Sequence, residues 1–187
     1  MRVISGTRKG QKLFGPKNEL SRPTEDRIKE AIFNVLGNIG PESVVLDLFA
    51  CTGSIGIEFL SRGAKKTYFS EIKKDNIEIL KRNLEKTKFL ENSVILKGDY
   101  RSNLLKISEK IDYIYIDAPY KSDYYIKSME IILENEKLMD AIIITEMDRD
   151  ENFSEKYDKI SLVFNRKYGN KYIKIYVRKT DESSISR

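Results

Sequence analysis

The sequence contains no histidine and only one cysteine, and each count excludes a class of chemistry. Without histidine there is no Ser-His-Asp or Cys-His catalytic centre, no histidine general base and no histidine-ligated zinc. A lone cysteine forms neither an intrachain disulfide nor a thiolate metal cluster, and we expect no metal site. Catalysis by this chain must therefore use carboxylates, backbone groups, aromatic rings or a bound cofactor.

Long apolar runs are also missing. Segments such as the three isoleucines at 142–144 are far shorter than the ~20 apolar residues that a membrane-spanning helix needs. Residues 1–20 carry basic side chains but lack the apolar centre of a signal peptide. We therefore expect a cytoplasmic protein without a membrane partner. Its 187 residues, 40% of them hydrophobic, predict a single domain.

Positive charge is concentrated towards the two ends of the chain. Residues 1–18 hold five basic side chains and no acidic one, and residues 156–179 have a net charge of +7. The segment between them, 19–155, has a net charge of −6. Basic ends around an acidic centre are typical of contact with a polyanion such as nucleic acid. The alternative is that a lysine-rich composition simply places lysine wherever the surface allows.

The order of the hydrophobic patterns predicts an α/β fold. Apolar runs indicate strands at 44–50, 67–72, 94–99, 112–117 and 141–147, and helical periodicity indicates helices at 24–36, 54–62, 73–88 and 123–137. Strands that alternate with helices form a parallel sheet covered on both faces. Alternation at 159–167 and 171–179 around Tyr168-Gly169-Asn170 adds an antiparallel hairpin. We expect a seven-stranded, mostly parallel sheet over the core 22–180, a basic N-terminal arm or hairpin at 1–21, and a tail at 181–187.

The first candidate site is the segment 47–58, DLFACTGSIGIE, between the first predicted strand and the following helix. Open α/β sheets bind ligands outside the carboxyl ends of their strands. Gly53 and Gly56 allow a tight turn and a close approach of the backbone to a ligand. Because Cys51 occupies the place of the first glycine in a G-x-G-x-x-G pattern, a plain strand-to-helix turn is an alternative interpretation.

Acidic residues also end the next two predicted strands. Glu71 lies 24 residues after Asp47, where a carboxylate can accept hydrogen bonds from both ribose hydroxyls of an adenosine-type cofactor. Asp99, in Gly98-Asp99-Tyr100, can accept from an adenine amino group. For each acid taken alone, a surface or capping role is the favoured interpretation. Three acids at the ends of three successive strands indicate one shared site.

The fourth predicted strand ends in Asp117-Ala118-Pro119-Tyr120. The Asp117 carboxylate and the Ala118 carbonyl are two acceptors for the two N–H bonds of an exocyclic amino group, and the Tyr120 ring can stack on the base that carries it. The alternative is an ordinary turn at a strand end, since Asp and Pro favour turns.

Together these motifs resemble the class I S-adenosylmethionine-dependent methyltransferases that modify exocyclic amines and carry a D/N-P-P-F/Y/W motif. The chain is more specifically similar to the RsmD family, which methylates N2 of a guanine in 16S ribosomal RNA. The resemblance covers nearly the whole chain. Its motifs are the basic opening at 2–13, RPTEDRIKEAIFN at 22–34, the glycine-containing loop at 47–64 and the terminal hairpin at 168–176.

The resemblance implies a Rossmann-like class I methyltransferase fold and S-adenosyl-L-methionine as the cofactor. The residues that it assigns to amine binding and catalysis are Asp117, Ala118, Pro119 and Tyr120. The residues that it assigns to the cofactor are Arg22, Thr24, Asp47, Phe49, Ala50, Thr52, Gly53, Ser54, Glu71, Ile72, Asp99, Tyr100 and Asp117. The residues that we expect to contact RNA are Arg2, Arg8, Lys9, Lys12, Arg27, Lys167 and Lys171. The implied partner is 16S ribosomal RNA in an assembled or assembling small subunit, and we expect a monomer.

Two departures from the family pattern and three rival functions accompany this interpretation. Cys51 costs about 1–2 kcal/mol if its position needs a positive φ, and Ala118 makes the amine-binding turn less rigid than a second proline would. The rivals are a methyltransferase for adenine N6 or cytosine N4 in DNA, a nicotinamide-dependent oxidoreductase, and a non-catalytic RNA-binding module.

Overall fold

The computed structural model describes residues 1–16, 24–119 and 123–179. Arg22, Tyr120 and the tail predicted at 181–187 lie outside these ranges. Within them, no helix is long and apolar enough to span a membrane.

The predicted helices and strands are present, most of them with slightly different ends. Helices α1 to α5 span Thr24–Leu36, Ser54–Ser61, Lys74–Thr87, Tyr100–Leu104 and Tyr124–Glu134. Strands β1 to β7 span Val44–Asp47, Lys66–Glu71, Ser93–Lys97, Tyr113–Ile116, Ile142–Met147, Ile160–Tyr168 and Lys171–Arg178. The strand predicted at 44–50 ends three residues early, because residues 48–50 already form the turn into α2. Helix α4 was not predicted, since five residues are too few to show a helical period.

The seven strands form one sheet in the order β3-β2-β1-β4-β5-β7-β6. The first five are parallel to one another, and β7 runs antiparallel to both β5 and β6. The predicted mostly parallel sheet with a terminal antiparallel hairpin is therefore confirmed. The chain builds outward from β1 to β3 and then returns to place β4 on the other side of β1. This reversal leaves a crevice at the carboxyl ends of β1 and β4, where open α/β sheets bind ligands.

Helices cover both faces of the sheet, and each face buries its own apolar cluster. Helices α1, α2 and α3 pack on one face, and α4 and α5 pack on the other. The central strands are apolar on both sides because both sides are covered. In β1, for example, Val45 belongs to the cluster under α1, α2 and α3, whereas Val44 and Leu46 belong to the cluster under α4 and α5. All three side chains are buried.

Residues 1–13 form a short hairpin-like loop. Its two sides join through an antiparallel bridge between Arg2 and Lys12. The loop is attached to α2 by Glu58, whose fully buried carboxylate accepts hydrogen bonds from the backbone N–H groups of Ile4 at 2.8 Å and Ser5 at 3.0 Å. Ser61 of α2 adds hydrogen bonds to the backbone of Ser5 and Arg8, so Glu58 is one of several contacts that fix the loop and a buried charged one.

We expect Glu58→Gln to lower the free energy of unfolding by about 2–3 kcal/mol, because a carboxamide offers one acceptor oxygen to two buried N–H groups. The midpoint and slope of urea unfolding measure this change. Glu42→Gln is the matched control, since Glu42 is exposed and pairs with Lys65 on the surface. Equal effects of the two substitutions would show that Glu58 does not anchor the loop.

Candidate active site

A cavity of about 460 Å³ opens at the carboxyl edge of the sheet, within the size range of small-molecule sites. Five strand ends, those of β1 to β5, contribute to its wall. The predicted site residues that line it are Asp47, Phe49, Ala50, Thr52, Ser54, Glu71, Ile72, Asp99, Tyr100, Asp117, Ala118 and Pro119. The fold thus brings together the four strand-end motifs that the sequence separates by up to 70 residues.

The turn from β1 into α2 is shaped by close packing and by one buried carboxylate. Asp47 accepts a hydrogen bond from the backbone N–H of Gly56 at 3.0 Å. A Cβ at Gly56 would lie 2.3 Å from the Phe69 ring, so only glycine lets α2 pack this closely on β2. Gly53 has φ +80° and begins the helix. Cys51 has φ +49°, so the positive φ considered for this position is present, with its cost of about 1–2 kcal/mol.

The environment of Asp47 makes its carboxyl group a weak acid. Complete burial raises its pKa from 3.8 to about 7, the hydrogen bond from Gly56 opposes this rise, and the negative charge of Glu71 adds to it. The group is therefore partly protonated near neutral pH. A cation that entered the cavity beside it would favour its ionised form.

The end of β2 presents a carboxylate in a fixed orientation. One oxygen of Glu71 accepts hydrogen bonds from the backbone N–H groups of Ile72 and Lys73, both at 2.8 Å, and the other accepts from the Asn76 side chain at 3.2 Å. A carboxylate has about four acceptor positions. The three protein donors hold the group at the cavity wall and leave it able to accept a further hydrogen bond from a ligand hydroxyl.

The end of β3 carries both a helix cap and a cavity residue. Asp99 accepts from the backbone N–H of Arg101 at 2.9 Å and thereby caps α4. The amide of Asn103 donates to the Ser70 hydroxyl at 3.0 Å and to the Gly98 carbonyl at 3.1 Å, which joins the ends of β2 and β3. Capping and ligand binding are therefore compatible roles for Asp99, since it also lines the cavity.

The amine-binding turn predicted at the end of β4 is connected to β5 by one hydroxyl. Tyr125, in the first turn of α5, donates towards the carbonyl of Ala118 at 3.1 Å and the carbonyl of Glu146 at 2.5 Å. Burial raises the pKa of Tyr125 well above its usual value, so the hydroxyl remains a donor. Asp117 and Pro119 line the cavity on either side of Ala118. Tyr120, predicted to stack on the target base, lies outside the described residues.

Three aromatic rings form one wall of the cavity. Phe49 and Tyr124 are stacked with centroids 6.0 Å apart, and Tyr100 lies 5.3 Å from the first and 5.1 Å from the second. Such a wall suits a flat heteroaromatic group. Tyr124 is not among the predicted site residues, because nothing in a tyrosine at a helix start distinguishes it from a core residue.

The residues present fit S-adenosyl-L-methionine. The Ser54 hydroxyl, at the start of α2, and the Tyr100 hydroxyl are buried at the cavity and have no hydrogen-bond partner among the described residues. Such buried hydroxyls require a partner. The amino acid and ribose groups of such a cofactor would supply donors and acceptors for them, and the carboxylates of Glu71 and Asp99 would suit its hydroxyl and amino groups.

Besides Tyr124, other residues of the cavity wall were not predicted or were assigned a different role. Glu146 and Tyr115 line the cavity from β5 and β4, and Lys29 lines it from α1. Lys171, expected to contact RNA, lies at the cavity and forms a salt bridge with Glu146. Glu146 lies at or next to the carboxyl end of a strand, as Asp47, Glu71 and Asp117 do, so the same strand-end signal was available for it.

The other residues predicted to contact RNA lie on the surface or in structural contacts. Lys9, Lys12, Arg27 and Lys167 are exposed. Arg2 forms a salt bridge with Asp26 at 2.9 Å. Arg8 donates to the carbonyl of Thr87 at 2.7 Å, at the C-terminal end of α3. Thr24 is the first residue of α1, and Arg22 lies outside the described residues.

Known proteins match this chain in structure and in sequence over most of its length. A solved structure of the Escherichia coli protein yhhF superposes with a TM-score of 0.83 at 27% identity, covering 95% of this chain and 97% of that one. Bacillus subtilis YlbH is 30% identical over 184 residues, which are 96% of this chain and all of the relative. The Haemophilus influenzae protein named ribosomal RNA small subunit methyltransferase D is 34% identical over 155 residues, 81% of this chain and 80% of the relative.

The sheet order, the antiparallel final strand and the cavity at the switch point define a Rossmann-like fold of the class I methyltransferase type. A family model described as "Conserved hypothetical protein 95" matches residues 1–177. The chain therefore belongs to this family, which is the RsmD family.

The raised pKa of Asp47 predicts a specific pH dependence of stability. Between about pH 4 and 7 the folded protein keeps a proton that the unfolded chain releases, so the free energy of unfolding falls as pH rises through this window. Asp47→Asn removes this titration. Between about pH 4 and 7, the free energy of unfolding of the wild type should fall by roughly 3–5 kcal/mol more than that of this variant. Urea unfolding at several pH values measures the difference.

A second aspartate serves as the control for this measurement. Asp75 is exposed in the first turn of α3, and Asp75→Asn should keep the pH dependence of the wild type. Identical pH profiles for the wild type, Asp47→Asn and Asp75→Asn would contradict the assignment to Asp47.

Proposed function

We propose that this protein is an S-adenosylmethionine-dependent methyltransferase that methylates the exocyclic N2 amine of a guanine in 16S ribosomal RNA. The observation that carries the proposal is the turn at the end of β4, where the Asp117 carboxylate and the Ala118 carbonyl lie at the same cavity as the acceptors for a cofactor. Family membership and the name of the Haemophilus influenzae relative support the substrate class.

The cofactor would lie across the ends of β1, β2 and β3. Glu71 would accept from its ribose hydroxyls, Asp99 from its adenine amino group, and the turn that follows Asp47 would hold its amino acid part. When bound, S-adenosyl-L-methionine supplies a methyl group whose C–S bonding electrons leave with the sulfur. A cofactor with a cationic amino group also favours the ionised form of Asp47, whose pKa lies near neutrality.

The chain's own contribution to the reaction is to orient the amine and receive its proton. The lone pair of guanine N2 is delocalised into the ring, which makes the amine a poor nucleophile. Acceptors for both N–H bonds, on Asp117 and Ala118, favour a pyramidal nitrogen whose lone pair is free to form the new N–C bond. The Asp117 carboxylate then takes the proton that the methylated nitrogen must lose and passes it to solvent. No histidine is required for these steps.

The target base must be unpaired or turned out of its helix to reach this turn. We propose that Tyr120 stacks on the base, and that Arg2, Arg8, Lys9, Lys12, Arg27, Lys167 and Lys171 contact the RNA, of which the exposed lysines are suited to phosphates. Met1 and Pro16 border the cavity, so the basic N-terminal loop approaches it from one side. The substrate would be the RNA in an assembled or assembling small subunit, bound in the cytoplasm by a monomer of one domain.

The first test is methyl transfer from labelled S-adenosylmethionine to unmodified small-subunit RNA, naked and assembled with proteins, followed by nucleoside analysis. We expect N2-methylguanosine at one position. Asp117→Ala should lower the turnover rate at least about 100-fold, because it removes an acceptor that acts on the reacting amine. The dissociation constant of S-adenosylhomocysteine should change less than about threefold, since the cofactor acceptors remain.

Asp123→Ala is the control for that substitution, since Asp123 is exposed and pairs with Lys127 at the start of α5. Equal losses of cofactor binding and turnover in Asp117→Ala would contradict the assigned role. Transfer to DNA or transfer RNA alone would contradict the proposed substrate.

Binding of small-subunit RNA should weaken steeply between 50 and 200 mM salt, values chosen for the test, because phosphate contacts release counterions. Replacing Lys9 and Lys12 together by alanine should reduce the slope of log K against log salt by about 1–2. Lys159→Ala is the control, since Lys159 pairs with Glu134. A slope unchanged by the double substitution would exclude the N-terminal loop from the RNA interface.

A further inference from the structure

Glu146 is a buried carboxylate beside the turn that would bind the target amine. Its side chain is 7% exposed and lines the same cavity as Asp117. The two residues occupy neighbouring positions, because β4 and β5 are parallel with Ile116 opposite Thr145 and each next residue is the acid. The Tyr125 hydroxyl, which contacts the backbone carbonyls of both Ala118 and Glu146, keeps these two strand ends together.

Two donors of the described part of the chain hold the Glu146 side chain in place. The Tyr115 hydroxyl donates to one carboxylate oxygen, and the Lys171 ammonium forms a salt bridge with the other. Burial and the nearby carboxylates raise the pKa of Tyr115 well above its usual value, so this hydroxyl stays a donor. The carboxylate is thus preorganised rather than mobile.

A purely structural ion pair between Glu146 and Lys171 accounts for part of this arrangement. A structural role does not explain why the ion pair lies at the cavity, which both partners line. Taking two charges out of water also costs free energy that a packed apolar pair would avoid. A carboxylate has about four acceptor positions, and the two protein donors occupy one on each oxygen. Glu146 therefore keeps the capacity to accept a hydrogen bond from a group in the cavity.

The chemistry next to the target amine differs among the bases. In guanine, the atom beside the C2 amine is N1, which carries a hydrogen and is a donor. In adenine, the atom beside the C6 amine is N1 without a hydrogen, and in cytosine the atom beside the C4 amine is N3 without a hydrogen. A carboxylate beside the amine-binding turn therefore attracts the guanine edge and repels the lone pair of the other two.

We propose that Glu146 is a specificity-determining residue that accepts the N1–H of the target base and so selects guanine over adenine and cytosine. Tyr115 and Lys171 are positioning residues that hold its carboxylate. The inference rests on the proposed function, because it concerns the same amine at the same turn. It also excludes the rival in which the turn serves adenine N6 or cytosine N4.

The test compares guanine with 2-aminopurine at the methylated position of small-subunit RNA, introduced by ligation of a synthetic segment. 2-Aminopurine keeps the C2 amine but has a lone pair on N1 in place of the hydrogen. The wild type should methylate guanine roughly 10- to 100-fold faster than 2-aminopurine, measured as kcat/KM. Similar rates on both bases would overturn the proposal, and this comparison needs only the wild-type protein.

Glu146→Gln tests the residue itself. A carboxamide can donate to the N1 lone pair of 2-aminopurine as well as accept from the N1–H of guanine. The preference for guanine should therefore fall to within about threefold, while Glu42→Gln, a substitution on the surface, keeps the wild-type preference. The dissociation constant of S-adenosylhomocysteine and the unfolding temperature of each variant report on the cofactor site and the fold.

The outcomes separate the two proposals. A wild type that methylates guanine, together with a Glu146→Gln variant that binds S-adenosylhomocysteine and keeps the full guanine preference, would overturn the role of Glu146 alone. A wild type that binds S-adenosylhomocysteine but methylates no guanine in small-subunit RNA would overturn the proposed function and this inference with it. Loss of preference in Glu146→Gln, with cofactor binding retained, is the result that supports the inference.

Discussion

The parallel hydrogen-bond register of the central strands is the constraint on which the site depends. It places the residues that end β1, β2, β4 and β5 at one edge of the sheet, and each of those strand ends carries a carboxylate: Asp47, Glu71, Asp117 and Glu146. Like charges this close repel one another and lose solvation. Protein donors offset part of this cost: the N–H of Gly56 at Asp47, two backbone N–H groups at Glu71, and a tyrosine with a lysine at Glu146. The raised pKa of Asp47 is the part of this cost that the donors do not remove.

Hydrogen bonds from backbone and side-chain donors also hold the strand ends of the cavity wall in fixed positions. The N–H groups that hold Glu71 belong to the residues that directly follow it, and the amide of Asn103 joins the ends of β2 and β3. The hydroxyl of Tyr125 joins β4 to β5. Hydrogen bonds from these two side chains thus connect the end of β2 to that of β3 and the end of β4 to that of β5. Preorganised acceptors of this kind are what a reaction limited by amine orientation requires.

The basic residues of the chain fall into two groups that the sequence does not distinguish, those that form salt bridges within the fold and those that stay exposed. Lys159, Lys171, Lys174 and Arg178 of the basic C-terminal segment form salt bridges with acids of the central segment. The acidic centre and basic end therefore partly neutralise each other within the fold. Lys9, Lys12 and Lys167 stay exposed. The sequence does not show this difference, because it gives the charge of each residue but not which side chains contact one another in the folded protein.

The sequence by itself determined the alternation of strands and helices, the antiparallel final hairpin and the position of Asp47, Glu71, Asp99 and Asp117 at strand ends in the cavity wall, because apolar period and strand-end acids are local signals. It did not reveal helix α4, which is too short to have a period, or the pairing of Glu146 with Lys171, whose partners lie 25 residues apart on β5 and β7. It also left open whether Cys51 would need a positive φ. Those features were decided only by the tertiary structure. They depend on which strands are neighbours and on how closely α2 packs against β2. Strand order and helix packing follow from the burial of both apolar faces of the sheet at once, which no single segment of the sequence determines.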